Sequence, residues 1–282
     1  MEVKNRIEAF KNKGKNIEAE MSFFEHIDVL RWHLIRSAIA IIVFAVLAFV
    51  YYDVLFDGII MAPKKSDFWT YRMLCDLATR FHWGDGFCVK TIPFTIINTQ
   101  MAGQFTLQMN SALLSGVVLG VPYMLWELWR FIKPGLHLKE QKSASGFVLY
   151  ASILFALGVL FGYFVITPLS INFLANYQVS VEIQNQITID SYLSTVATLT
   201  LGSGIVFELP MVVYVLSKMG MMTPQFMRKY RRYAIVINMI IAAIVTPTPD
   251  ILTMLTVCFP LLLLYEISIL ISARVRRRMN NV

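Results

Sequence analysis

The sequence predicts an all-α polytopic membrane protein: six transmembrane helices, kinked into a concave bundle, with the N- and C-termini cytoplasmic. Three observations carry this. Of 282 residues, 57% are hydrophobic and 15% charged, against roughly 25% charged in an ordinary soluble domain, so polar surface is too scarce to cover a water-exposed globule. The apolar residues fall in long uncharged blocks, such as 146–166, that exceed the roughly 18 residues marking a membrane-spanning helix. The basic residues, finally, alternate in density from one loop to the next. The first observation excludes a soluble enzyme, and the third decides what the net charge of +7 means.

Residues 1–33 read as a cytoplasmic arm. The first 21 residues are polar and charged, so no cleavable signal sequence is expected and the first span, 34–52, directs its own insertion. The lysines from Lys4 to Lys15 suit a solvated face or a surface of anionic lipid. Ser22-Phe23-Phe24-Glu25 has the form of a capping box, with Ser22 as N-cap and Glu25 at the third position, and starts a short amphipathic helix leading into the span. Phe23, Ile27, Leu30 and Leu34 share one face of that helix, while Glu25 and Asp28 share another. Two carboxylates there suit bidentate hydrogen bonds to an arginine-bearing ligand. Spacing alone favours a plainer reading, a solvated face paired with Arg31 and nearby lysines.

A long exoplasmic loop, 53–104, follows. It holds Cys75 and Cys88, in a compartment that permits disulfides, so the two are candidates for a bridge. A metal site with His82 between two thiols is the sharper alternative, but it lacks an obvious fourth ligand. The remaining spans are 105–126, 146–166, 192–217, 233–247 and 251–273, completing a single transmembrane domain over 34–273, and a basic tail occupies 274–282. The fifth is short: 15 residues at about 1.5 Å each reach about 22 Å, against a hydrocarbon core of about 30 Å. The turn signal Thr246-Pro247-Thr248-Pro249-Asp250 still separates it from the sixth, and such a mismatch would thin the bilayer locally.

Orientation follows from the loops. The arm through Arg36, the 127–145 and 218–232 stretches and the tail together hold 20 of the 25 Lys and Arg; the alternate loops hold five. By the positive-inside rule both termini are cytoplasmic. The basic excess is therefore largely topological, and no nucleic-acid partner is expected.

Prolines at 122, 210 and 260 each remove a helix hydrogen bond and predict a kink or local opening, giving a concave wall. Gly116-x-x-x-Gly120 and Gly158-x-x-x-Gly162 let helices approach closely, and favour knitting the fold over binding a partner. Glu208 lies deep in the fourth span, where a carboxylate costs a few kcal/mol unless protonated, paired or wetted; it is a functional candidate, with a protonated structural acid as the alternative. Glu266 lies nearer the cytoplasmic end, close to Arg274, and reads equally as an interface carboxylate. The 126–140 segment combines aromatics, a Pro-Gly turn and charge, which taken alone is an interface anchor. There is no His-Glu-x-x-His, no Gly-x-Ser-x-Gly and no phosphate-binding Gly-x-x-x-x-Gly-Lys, the four histidines are scattered, and no cofactor is implied.

Several of these segments together resemble a known family. Phe131-Ile132-Lys133-Pro134-Gly135-Leu136 with Glu140, Leu157-Gly158 through Phe161-Gly162-Tyr163-Phe164 to Pro168, Phe207-Glu208-Leu209-Pro210, Arg228-Lys229-Tyr230-Arg231-Arg232-Tyr233, Thr246-Pro247 with Asp250, and Pro260 with Leu264-Tyr265-Glu266 are similar, in order and spacing, to TatC, the polytopic subunit of the twin-arginine translocase. The resemblance implies a bacterial inner-membrane receptor, not an enzyme, for signal peptides bearing paired arginines. Such a receptor assembles with single-span TatA/TatB-type subunits, as a homo-oligomer within the receptor complex, and moves folded precursor proteins using the proton-motive force. It assigns signal-peptide binding to Glu140, with Phe131 and Pro134 as parts of the recognition surface or its scaffold. Glu208 would face the concave side and meet a partner's helix, and Pro63, Pro210, Asp250 and Glu266 would be structural. The N-terminal motif departs from the family's His-Leu-x-Glu-Leu-Arg: His26-Ile27-Asp28-Val29-Leu30-Arg31 places Val29 where the glutamate belongs. At about 100° per residue Asp28 points elsewhere, and Glu25, one turn before Val29, lies closer to the required face; either is a candidate for the second carboxylate. The competing reading of the same residues is a proton-coupled transporter of a small solute using Glu208, which an inverted repeat would support, and none is found.

Overall fold

A computed structural model describes residues 23–82, 88–89, 92–133, 146–180, 182–183, 185–246 and 250–280, the side chains of 23–26, Leu252 and 278–280 excepted. Helix α1 spans Phe23–Val50 without a break, and Ser22, the expected N-cap, lies outside the described residues. The short amphipathic helix expected to lead into the first span is continuous with it, forming the first described turns of α1. No Gly or Pro lies between Phe23 and Val50, so nothing ends the helix there.

Beyond α1 come a short helix α2 (Tyr52–Leu55), a π-helical turn (Phe56–Ile60), a 3-10 turn (Ala62–Lys64) and α3 (Trp69–Phe81), which stops at His82 in the left-handed region, φ 55°. Strand β1 (Thr95–Ile97) leads to α4 (Gly103–Ile132). Helix α5 (Phe147–Phe161) continues through a π-helical turn (Gly162–Ile166) into α6 (Thr167–Asn176). Strand β2 (Gln186–Thr188) precedes α7 (Ile189–Phe207) and α8 (Leu209–Lys218). Helices α9 (Pro224–Lys229), α10 (Arg231–Val245) and α11 (Ile251–Asn280) complete the described chain.

Among the described residues five helical stretches, 27–50, 103–132, 147–176, 189–218 and 253–277, are long and apolar enough to cross a membrane. The chain is an all-α polytopic membrane protein. At the place of the predicted fifth span stands α10, whose 15 residues leave it short of that length.

The predicted kinks separate into two kinds. At Pro210 the helix does break: α7 ends at Phe207, Glu208 turns with ψ −7°, and α8 restarts with Pro210 in its first turn. Glu208 N donates to Ile205 O, tightening the last turn. Pro122 and Pro260 instead lie inside unbroken helices, because one missing N–H does not end a helix when the turns on either side stay packed.

The glycine motifs join helices. A Cβ on Gly116 would lie 2.7 Å from Ala45 N and Ile41 O of α1, and one on Gly162 would lie 2.6 Å from Leu199 O of α7. Only backbone-to-backbone packing fits at those points. Helix α1 offers α4 a stripe through Val29, His33, Ser37 and Ile41, while Ile39, Val43, Val46 and Val50 are exposed; an all-apolar helix with one packed face suits hydrocarbon on the others.

The pairing of β1 with β2 was not expected. The strands are parallel, Thr95 opposite Gln186 and Ile97 opposite Thr188, and Ile96 and Ile187 pack on a core of Ile60, Phe94, Leu107, Tyr192 and Val196. Runs of three residues carry no readable period.

Candidate functional site

At the end of the bundle where α1 starts and α4 finishes, the two helices are joined by a carboxylate. Glu127 is 1% exposed. His33 Nδ1 of α1 donates to its Oε2, Tyr123 Oη donates to Oε1 at 3.0 Å, and Arg130 Nη1 reaches Oε1 at 3.4 Å. Phe131 stands edge-on to His33, ring centroids 6.2 Å apart, and Arg130 lies over Trp126 at 4.9 Å. Tyr123, Glu127, Arg130 and Phe131 fall on one face because they are spaced by three and four on α4. With cationic and neutral donors on both oxygens the carboxylate is satisfied, which is what lets it be buried. Its role here is to hold α1 against α4.

The predicted recognition residues meet this cluster to different degrees. Phe131 is part of it, half-buried; Asp28 is exposed on the first turns of α1. Glu140, Pro134 and the side chain of Glu25 lie outside the described residues. Glu127 and His33 were missed by sequence reasoning, which took the 126–140 segment as a row of anchors. The available signal was an acid four residues after Tyr123 and three before Arg130 on a helix otherwise apolar at that level.

Within the span, Glu208 sits at the break between α7 and α8, half-buried, and its Oε1 has no hydrogen-bond partner among the described residues. An oxygen left without a donor at this depth is costly, and is relieved by a proton, water or a polar group from another chain.

The remaining predicted residues lie elsewhere. Pro63 is buried, and its carbonyl accepts from Tyr71 Oη at 3.2 Å; the same hydroxyl donates to Pro168 O at 2.8 Å. Burial pushes the Tyr71 phenol up from its ordinary value, so it keeps the proton it donates. Cys75 and Cys88 form a disulfide with Cα atoms 4.5 Å apart, which removes both thiolates from the alternative metal site, and no cluster of three potential ligands occurs among the described residues. Asp250 Oδ2 accepts from Thr253 N at 2.9 Å and Thr253 Oγ1 at 2.7 Å, capping α11. Glu266, expected beside Arg274, pairs instead with Arg231 at 2.5 Å, because α10 packs alongside α11 and brings that guanidinium to it.

The family described as Sec-independent protein translocase protein (TatC) matches residues 25–260, from the first turns of α1 into α11. The chain belongs to the TatC family. Among curated TatC proteins, that of Blattabacterium sp. subsp. Periplaneta americana is 37% identical over 94% of this chain and 99% of its own length. That of Deinococcus radiodurans is 32% identical over 90% and 86%. Two crystal structures described as the twin-arginine translocase receptor TatC superpose with TM-scores of 0.63 and 0.67. Their identities are 30% and 32%, and they cover 89% and 87% of this chain and 100% and 98% of their own. As a TatC-family member the chain is a core translocase subunit and not an enzyme, which decides against the small-solute transporter drawn from Glu208.

Proposed function

We propose that this TatC-family chain binds the paired-arginine signal peptides of folded precursor proteins at the basic end of its bundle. That end faces the cytoplasm of a bacterial inner membrane, as the positions of 20 of the 25 Lys and Arg favour. There it nucleates a translocation complex driven by the proton-motive force. The observation that carries the reading is the union of α1 and α4 through His33, Glu127 and Phe131. It sets the start of α1 beside the end of α4, where the loop with Pro134 and Glu140 departs.

The ligand's chemistry follows from the charges. A guanidinium pair near a membrane is costly to desolvate, and two carboxylates return parallel hydrogen bonds that an ammonium does not match in fork geometry. Glu140 supplies one. For the other, Val29 stands on the stripe of α1 that at His33 faces α4, and position 25 stands one turn before Val29, whereas Asp28 is exposed off that stripe. This favours Glu25, with Asp28 as the alternate. Glu208, with its unpartnered oxygen, would take a polar residue from the helix of a single-span TatA/TatB-type subunit; α10 and α11 would offer that partner an edge, and further copies of the chain would assemble in the same complex.

Binding of a twin-arginine peptide and its Lys-Lys version to the reconstituted protein tests the reading. The Arg-Arg peptide should bind more tightly. Glu140→Lys should abolish binding, and charge reversal of Glu25 and Asp28 together should weaken it. Equal binding of the two peptides would overturn the proposal.

A further inference from the structure

A cavity of about 590 Å³ lies between α5, α8 and α11. Most of its wall is apolar, with Leu154, Leu157, Tyr214 and Ile271 among the lining residues, and no carboxylate among the described residues lines it. Tyr150, Leu157 and Ile267 on its wall are exposed, so in a bilayer it opens to lipid. Two cations, Lys218 and Arg274, line it as well.

The helix register puts those cations at one level. Ser217 Oγ donates to Ser272 Oγ at 2.9 Å, both serines being buried. Helices α8 and α11 run in the same direction, so Lys218 and Arg274, one and two residues further along, lie about 2–3 Å beyond the serine pair. Gly146, where α5 begins, lines the same cavity; the first turn of α5 has no side-chain cap, and the positive end of its dipole adds to the field. Neither Lys218 nor Arg274 has an ion-pair partner among the described residues. Two like charges beside one apolar groove repel each other until an anion lies between them.

We propose that this cavity holds an anionic glycerophospholipid, with an acyl chain in the groove and the phosphate between Lys218 and Arg274. Basic pockets between transmembrane helices at the cytoplasmic side favour such headgroups. The volume falls within the roughly 300–1,000 Å³ of small-molecule sites. The apolar stretch of a signal peptide fits less well, because its arginines would be brought toward two cations.

The purified full-length protein, exchanged into an equal mixture of phosphatidylglycerol and phosphatidylcholine with matched chains, tests this by native mass spectrometry of the retained lipid. The wild type should retain phosphatidylglycerol preferentially. Lys218→Gln with Arg274→Gln should lower its retention about thirtyfold, equivalent to about 2 kcal/mol at 1.4 kcal/mol per tenfold, as expected from about 1 kcal/mol per cation. Lys218→Arg should keep the preference, and Leu154→Trp, which fills the groove, should lower retention of both lipids. A wild type without preference overturns the proposal whether or not the variants fold, as does a double variant that keeps the preference. Displacement of phosphatidylglycerol by inorganic phosphate alone would make the site one for phosphate, and displacement by a twin-arginine peptide would give the cavity to the peptide; either result also overturns it.

Discussion

Replacing Glu127 with alanine should loosen α1 from α4, and the size of the effect can be worked from its partners. Arg130 is half-exposed and 3.4 Å away, so it belongs with surface pairs worth about 0–1 kcal/mol. The His33 bond joins two helices, with side-chain exposures of 13% and 1%. Hydrogen bonds to charged groups are worth about 1.5–3 kcal/mol, while interhelical polar contacts in membranes average about 0.6 and reach about 1.7 kcal/mol. The overlap sets the His33–Glu127 coupling near 1.5 kcal/mol. Alanine also leaves His33 without its acceptor, bringing the whole substitution to about 2–3 kcal/mol. Glu127→Gln, which keeps an acceptor for Tyr123, should cost about 1 kcal/mol. The assay is a double-mutant cycle of Glu127→Ala and His33→Ala, read as unfolding free energy in bicelles and, in parallel, as twin-arginine peptide affinity. A coupling below about 0.5 kcal/mol, the range in which independent sites add, would refute the claim that this pair holds the arm in place.

Gly116→Val should separate the same two helices by a different route. Its Cβ would meet backbone atoms of α1 at 2.7 Å, where no rotamer change gives relief, so a cost at or above the upper end of about 1–3 kcal/mol is expected, read as lost cysteine crosslinking between α1 and α4. Gly58→Ala, at a position with nothing within 4 Å, is the neutral control. Tyr71→Phe removes the donor shared by Pro63 O and Pro168 O and should cost about 1–2 kcal/mol in thermal unfolding. The folded phenol titrates above its ordinary 10.0, so the advantage of tyrosine over phenylalanine should be complete below that pH and fall away as pH rises past it.

The parts of this fold written in the sequence are those with length and charge behind them. The uncharged blocks of α4, α5 and α11 and the basic loops between them follow from the cost of placing charge in hydrocarbon, which acts on each segment separately. What escaped reading depends on neighbours. Strands β1 and β2 exist because loops about ninety residues apart meet over the Tyr192 core. Pro210 ends a helix where Pro122 and Pro260 do not, a difference of packing rather than of residue type. Glu127 looked like one more interface residue because its meaning lies in His33, on another helix. The binding roles proposed for Glu140 and Glu25 rest on the resemblance to TatC, since spacing proposed Glu25 beside Asp28 but no spacing rule distinguishes a ligand-binding carboxylate from a solvated one.

The bond between Cys75 and Cys88 also works as a compass. Cytosolic thiols are kept reduced, whereas the far side of the membrane lets disulfides persist. A chain inserted with its basic end inward carries this bond; an inverted chain keeps three free thiols. Cys258, buried and unpaired, is the internal standard, free in either orientation. Counting alkylatable thiols per denatured molecule, one against three, would sort correctly inserted chains from inverted ones with no tag or fusion, so that each copy carries a covalent record of which way it entered the membrane.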